Sequence, residues 1–338
     1  MPGKKRKNRA KRPRPGGVVS APEGRLPDGC WGSVRSIPIV AGRFGLAELT
    51  SCHRYGWQPV SKGTLGYNRR MLRHRRAPLG QVFLRDRRVI QRILRSLDLQ
   101  PDDAVLEIGA GPGTMTELLA ARAEKVWAVE VDPKLAVGLR EKFAASPHVE
   151  VVQADILTLS IDSLCRAAGR ERIRVFGNLP YYITSPCLLR LFEFHSRITD
   201  IVVMVQREVA ERIVAAPGSE AYGVLSVTCQ YYTEPRMLFL IPPQAFRPVP
   251  QVYSALVRMR VAPQKEKLKI ENERAFWQLV QAAFAQKRKT LVNNWKPRCD
   301  PERLRHILAD LGIDSRARAE TLSLAQFAAL HKRLLRSE

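Results

Sequence analysis

The chain has 338 residues, of which 56 are Lys or Arg and 32 are Asp or Glu, a formal net charge of +24. That length allows one large domain or two ordinary ones, and a hydrophobic content of 45% excludes a wholly disordered chain. No apolar run approaches the roughly 18 residues of a membrane span, and the basic N-terminus lacks the apolar segment of a secretory signal. The six cysteines are scattered with no C-x-x-C pair. This argues against a disulfide scaffold and a metal site, and it fits a reducing compartment; a cytoplasmic location is the expectation. The positive charge points to a polyanionic partner, most often nucleic acid. The plain alternative is a basic tail on a neutral enzyme. Residues 1–75 hold 17 Lys and Arg against only Glu23, Asp28 and Glu48, but the remaining 39 bases and 29 acids leave the body basic as well.

In chain order, residues 1–75 read as a basic, disordered extension rich in Gly, Pro and Arg. Met71, just before the first patterned segment, is expected to be the translation start. Val89, Ile90, Ile93, Leu94 and Leu97 recur at helical spacing. Residues 104–108 read as a buried strand closed by a glycine-rich loop, with Thr114 as the cap of the next helix. Strands are expected at 125–130, 149–153, 173–176 and 200–205, with helices at 133–143, 185–194 and 207–215. Residues 224–232 and 253–260 read as late strands, forming an antiparallel edge. Alternating strands and helices predict an α/β fold, a mostly parallel sheet covered on both faces. Beyond a charged linker at 263–267 only helices are expected, at 273–286, 301–311 and 324–335. The division is therefore 1–75, an α/β domain over 76–262, and a small all-helical domain over 263–338.

In an open α/β sheet, ligands bind beyond the carboxyl ends of the strands. Glu107 and the loop Gly109-Ala110-Gly111-Pro112-Gly113 end the first of these strands. Glu130 ends the second, where a carboxylate accepts from ribose hydroxyls. Asp155 follows the third, where it accepts from an adenine amine. The glycine loop alone also fits a tight strand–helix turn or a dinucleotide enzyme. The third glycine of G-x-G-x-x-G is replaced by Thr114, and a second acid stands at Asp155. These two features favour S-adenosylmethionine over a pyrophosphate ligand. After the fourth strand comes Asn178-Leu179-Pro180-Tyr181. An exocyclic adenine amine is a poor nucleophile because its lone pair is delocalised into the ring. The Asn178 side-chain oxygen and the Leu179 carbonyl are two acceptors that hold such an amine, Pro180 stiffens the turn, and Tyr181 offers a stacking face. The plain alternative is an Asn-stabilised turn with two core tyrosines.

These stretches resemble the rRNA adenine N6,N6-dimethyltransferase family of the KsgA/RsmA type, over about residues 79–334. Leu79-Gly80-Gln81-Val82-Phe83-Leu84 is similar to its opening motif, and 105–113, 129–132 and 153–155 are similar to its cofactor motifs. Residues 178–181 are similar to its catalytic motif, 246–254 to its target-base loop, and 283–291 and 318–323 to its C-terminal signatures. The resemblance implies a Rossmann-like class I methyltransferase fold and a cofactor site that includes Gln81, Val82, Leu84, Glu107, Gly109, Gly111, Glu130, Asp155, Ile156 and Asn178. It also implies that Phe246 lies by the target base. Two positions depart from the family pattern: Val82 stands where Asn is usual, and Tyr253 where Asp is usual. The implied activity is dimethylation of two adjacent adenines in the 3′-terminal hairpin of small-subunit rRNA, within the immature subunit, by a monomer. Lys287, Arg288 and Lys289 are the expected phosphate contacts, with a solvated helix face as the plain alternative. The rival readings are a large-subunit rRNA adenine methyltransferase of the resistance type and a non-catalytic ribosome-assembly factor.

Overall fold

The computed structural model describes residues 57–59, 65–67, 82–180 and 182–335. The expected disordered extension, the Met71 start, Gln81 and Tyr181 therefore lie outside the described residues, apart from a short antiparallel ribbon of β1 (Trp57–Pro59) and β2 (Leu65–Tyr67).

A second small ribbon pairs β3 (Phe83–Leu84) with β10 (Phe246–Arg247). The main sheet has seven strands: β4 (Ala104–Ile108), β5 (Lys125–Glu130), β6 (Val149–Gln153), β7 (Ile173–Asn178), β8 (Ile198–Gln206), β9 (Thr233–Ile241) and β11 (Ser254–Val261). Their order is β6-β5-β4-β7-β8-β11-β9. The pairs from β6 to β8 are parallel, and β11 runs antiparallel to both β8 and β9. The order reverses between β4 and β7, which opens a crevice at their carboxyl ends.

Side-chain alternation divides the sheet between two cores. Leu106, Ile108, Ile201, Val203 and Val205 face α4 (Ile161–Ala167), α5 (Thr184–Glu193) and α6 (Arg207–Val214). Val105, Phe176, Val202 and Met204 face α1 (Arg87–Leu97), α2 (Thr114–Ala120) and α3 (Pro133–Lys142). Both faces are apolar, as a parallel sheet covered on both sides requires. A third core joins α8 (Glu273–Ala283), α9 (Leu291–Trp295), α10 (Pro301–Asp310) and α11 (Leu324–Leu335) to Val227 and Tyr231 of α7 (Val224–Tyr232).

Two sequence expectations are corrected. Residues 224–232 form α7, not a strand. They are buried on nearly every side because α7 is wedged between two cores, and a run with no exposed polar face cannot be told from a buried strand by periodicity. The antiparallel edge instead comes from β9, where exposed Glu234 and Arg236 alternate with half-buried neighbours. Thr114 is not the cap of α2. Gly113 holds that position with φ +77°, and no side chain caps the helix. The short helices α4 and α9 had no clear sequence signal.

Candidate active site

A cavity of about 290 Å³ opens at the carboxyl ends of β4, β5, β6 and β7. It is lined by Val82, Gly109, Gly111, Glu130, Asp155, Ile156, Asn178, Leu179 and Pro180 among the residues expected from the sequence. The fold brings these together from five separate stretches of chain, four at the ends of sheet strands and Val82 just before β3.

Its floor is the loop after β4. Gly111 sits at φ +55°, and a Cβ there would lie 3.0 Å from the Phe83 ring. Gly113 does the packing that the missing third glycine would do, since a Cβ there would meet Leu139 of α3 at 2.8 Å and Phe143 at the end of α3 at 2.9 Å. The backbone thereby comes close both to the cavity and to the helix behind it.

Glu130 is 4% exposed, and its carboxylate is held by two backbone donors. The Gly111 N–H donates to Oε2 and the Asp132 N–H to Oε1, each at 2.9 Å. One residue thus fixes the loop after β4 and the turn after β5, and it presents a localised negative charge to the cavity. Asp155 accepts from the Leu157 N–H at 2.9 Å through Oδ1. Val131, Ile156 and Leu157 supply apolar walls beside these acids. Two carboxylates flanking apolar walls suit a nucleoside whose ribose and base need different partners.

Glu107 lies deeper, 2% exposed, and the Thr116 hydroxyl donates to its Oε2 at 2.6 Å. Burial pushes its pKa up to about 8; the Thr116 hydrogen bond opposes the shift and nearby Glu130 adds to it. A buried acid next to a second acid ionises more readily beside a cation. Glu107 borders a narrow cleft shared with Phe83, Gly109, Gly111 and Asn178.

The turn after β7 is tightly tied. The Leu179 N–H donates to the Met204 carbonyl at 3.1 Å. Pro180 O accepts from the Ile183 N–H at 3.0 Å and from the Thr184 hydroxyl at 3.3 Å. Asn178 Nδ2 donates to the Val82 carbonyl at 3.0 Å. A carbonyl can only accept, so this bond fixes which end of the amide is nitrogen and leaves Oδ1 as an acceptor with no partner among the described residues. The departure at Val82 is therefore harmless to this contact, because the backbone makes it. Tyr182 is 63% exposed on the cavity rim, so it is not the core tyrosine of the plain reading. Partial burial, with Asp155 and Glu130 facing it, raises its phenol above the ordinary pKa.

Phe246 is corrected: it is fully buried in the α1–α3 core and does not face the cavity. In the β3–β10 ribbon it pairs with Leu84, and alternation sends both of these side chains to the core. Leu84 accordingly touches only the narrow cleft by Glu107. The cavity side of the ribbon belongs to Phe83, which sequence reasoning missed; its place in the opening motif was the available signal. Beside the ribbon, Val249, Val252 and Tyr253 form an exposed apolar rim. Lys287, Arg288 and Lys289 are all exposed in the turn between α8 and α9 rather than on a helix face, and Lys287 Nζ donates to the Glu220 carbonyl at 3.1 Å.

Comparison with known proteins adds an independent line. The model of the ribosomal RNA adenine dimethylase family matches residues 73–335. A ribosomal RNA small subunit methyltransferase A from Koribacter versatilis is 41% identical over 270 residues, covering 77% of this chain and 94% of that protein. One of the same description from Lachnoclostridium phytofermentans is 42% identical over 257 residues, covering 74% and 88%. Among solved structures, the 23S rRNA methyltransferase ErmE superposes with a TM-score of 0.58 at 29% identity, over 75% of this chain and 99% of that one. A dimethyladenosine transferase from Plasmodium falciparum superposes with a TM-score of 0.65 at 21% identity, over 75% and 98%, and supports the fold.

Proposed function

Because the chain belongs to the ribosomal RNA adenine dimethylase family, we propose that it transfers methyl groups from S-adenosylmethionine to the N6 of two adjacent adenines in the 3′-terminal hairpin of small-subunit rRNA. The relatives near 40% identity carry the small-subunit description, whereas the large-subunit enzyme stands at 29%, which favours the small-subunit substrate. The observation that carries the site assignment is the Asn178–Val82 hydrogen bond, which leaves a rigid acceptor at the cavity mouth.

The residues present fit the nucleoside cofactor. Glu130 would hold the ribose hydroxyls and Asp155 the adenine amine, with Val131, Ile156 and Leu157 against the ring. Glu107, an acid strained by burial, ionises more readily beside the positive end of the ligand. When bound, S-adenosylmethionine supplies an electrophilic methyl group on a sulfonium.

The protein then positions the amine. Asn178 Oδ1 and the Leu179 carbonyl accept its two N–H bonds and draw the nitrogen towards pyramidal geometry, which frees its lone pair. The turn at Pro180 is held by the bonds from Ile183 and Thr184, so both acceptors are set before substrate arrives. Placement of the nitrogen within ~3–3.5 Å of the methyl carbon does most of the work. No strong base is needed, since the proton leaves after the methyl arrives. Tyr181 is assigned the stacking face for the extruded base; Tyr182 lies on the cavity rim. The all-helical segment 263–338 carries RNA contacts through Lys287, Arg288 and Lys289, and the enzyme acts as a cytoplasmic monomer on the immature subunit.

The test is labelled S-adenosylmethionine with small subunits lacking this modification, counting and mapping the label. Label approaching four methyls on two adjacent adenines is expected. Label confined to large-subunit rRNA, or no label despite cofactor binding, overturns the assignment.

A further inference from the structure

We propose that the exposed face of α1 is a second RNA-docking surface, a stripe of arginines that grips the phosphates of the strand carrying the target adenine; this rests on the function proposed above. The helix reads Arg-Arg-Val-Ile-Gln-Arg-Ile-Leu-Arg-Ser-Leu and contains no acid. Ile90, Ile93, Leu94 and Leu97 are buried against the sheet. At about 100° per residue, Arg88, Arg92 and Arg95 fall within an arc of about 60° on the opposite side, spread over about 10 Å of helix. Arg85 and Arg87, both exposed, extend the charge to the start of the helix.

These charges are not neutralised within the protein. Elsewhere arginines pair with carboxylates, as in Arg174–Asp103, Arg197–Asp162 and Arg207–Glu211. Among the described residues, none of Arg85, Arg87, Arg88 and Arg95 has an acidic partner, and Arg92 lies 3.9 Å above the Phe239 ring. Of the two acids that flank the helix, Asp86 is occupied as its cap, accepting from the Arg88 and Val89 N–H groups, and Asp98, at its other end, forms no ion pair with Arg95 among the described residues. Four like charges on one short helix, with Arg85 just before it, repel one another, and a polyanion relieves that repulsion more strongly than dilute counterions do.

The location fixes the occupant. Arg85 directly follows β3, where Phe83 lines the cavity and Val82 orients Asn178. The Arg85 N–H is tied to the Ala245 carbonyl at 2.7 Å, beside exposed Arg247 on β10. The stripe therefore starts at the cavity rim and runs away from it. A strand whose base enters the cavity leaves its adjoining phosphates at that rim, in line with the stripe. The surface lies on the α/β part of the chain, far in sequence from the turn at 287–289.

The experiment uses the full chain and unmodified small subunits. Arg92 is retained because it packs on Phe239; Arg88 and Arg95 are both replaced by Gln. Removing one arginine–phosphate pair flattens the plot of log K against log salt by roughly 0.7–0.9. The R88Q/R95Q variant should reduce the slope by about 1.5 while cofactor affinity stays at the wild-type value. An unchanged slope overturns the proposal. An iron chelate tethered at Arg95→Cys, with the chelate-treated unsubstituted chain as control, should cleave the strand adjoining the methylated adenines. Cleavage only elsewhere in the particle also overturns it. Wild-type protein that methylates the subunit while the variant keeps its slope removes the stripe alone; wild-type protein that transfers no methyl removes the underlying function.

Discussion

Glu107 gives the fold a pH dependence that can be measured. Its ordinary pKa of 4.5 is raised to about 8 in the folded chain. Below about pH 4.5 the carboxyl is protonated in both states and contributes its full stability. Between 4.5 and 8 the folded state holds a proton that the unfolded state has released, so stability falls as the pH rises. The loss is on the order of a few kcal/mol by pH 8. Glu107→Gln should therefore raise Tm by several degrees at pH 8 and leave it nearly unchanged at pH 4.5. Thermal melts across that range check this, and parallel pH profiles in the two proteins contradict it. Cofactor binding reads the same group, since a cation beside Glu107 favours its ionised form. Affinity should rise towards pH 8 in the wild type and stay flat in the Gln variant. At Asn178 the acceptor itself is at stake. Asn178→Ala should cut methyl transfer by at least 100-fold with cofactor affinity within about 3-fold, a loss comparable to removing one oriented polar group from a transition state. Val82→Asn should change turnover by less than about 2-fold, because the carbonyl that positions Asn178 remains. Single-turnover rates with titrated cofactor separate the two effects.

At the scale of elements, the loop between β4 and α2 shows how packing overrides a motif. Gly113 sits at φ +77° with Leu139 and Phe143 against it. Gly113→Ala should destabilise the fold by about 2–4 kcal/mol, from the strained backbone and from overpacking against α3. A denaturation midpoint within error of the wild type would sink this. The strand ends around this loop are legible in the sequence. Glu107, Glu130, Asp155 and Asn178 each stand at or just after the end of a short, apolar, β-branched run, so sheet topology alone brings them together. The parallel strands β4, β5 and β6 were readable to the residue for that reason. By contrast, α7 hides its helical character because both of its sides are buried, and β9 hides its strand character behind Glu234, Pro235 and Arg236. The inward turn of Phe246 is not legible in sequence because a two-residue strand has too little pattern to show which face is core. Its partner strand supplies Phe83 to the cavity side instead. The apolar walls Val131 and Leu157 carry no chemistry of their own, and only the fold makes them a site.

Across the whole molecule, the helical segment after residue 262 and the sheet are joined through α7. Tyr232 stacks on Phe192 of the α5 side at 5.0 Å, while its neighbour Tyr231 packs edge-on against Trp277 at 5.0 Å and beside Phe276 at 5.7 Å. The Tyr231 hydroxyl donates to Glu273 at 2.7 Å, and Glu273 in turn meets Lys265 at 3.1 Å. Burial and that carboxylate hold the Tyr231 phenol far above its ordinary pKa, so it remains a neutral donor. Tyr222, Val227 and Tyr231 belong to the same core as Phe276, Trp277 and Phe327. The charged stretch at 263–267 is therefore a boundary in sequence but not in packing. Removal of everything after residue 262 would bare one side of α7, several large apolar side chains at about 1.5–3 kcal/mol each. The shortened chain should lose cooperative unfolding, bind a hydrophobic dye and hold cofactor weakly, since α7 shares a core with α5, the helix that follows the Asn178 turn. A sharp thermal transition with full cofactor affinity in the 1–262 chain would show instead that the α/β part stands alone. Tyr231→Phe in the full chain is the milder probe. It keeps the ring and removes only the bond to Glu273, so it should cost about 1–3 kcal/mol without changing the character of the transition.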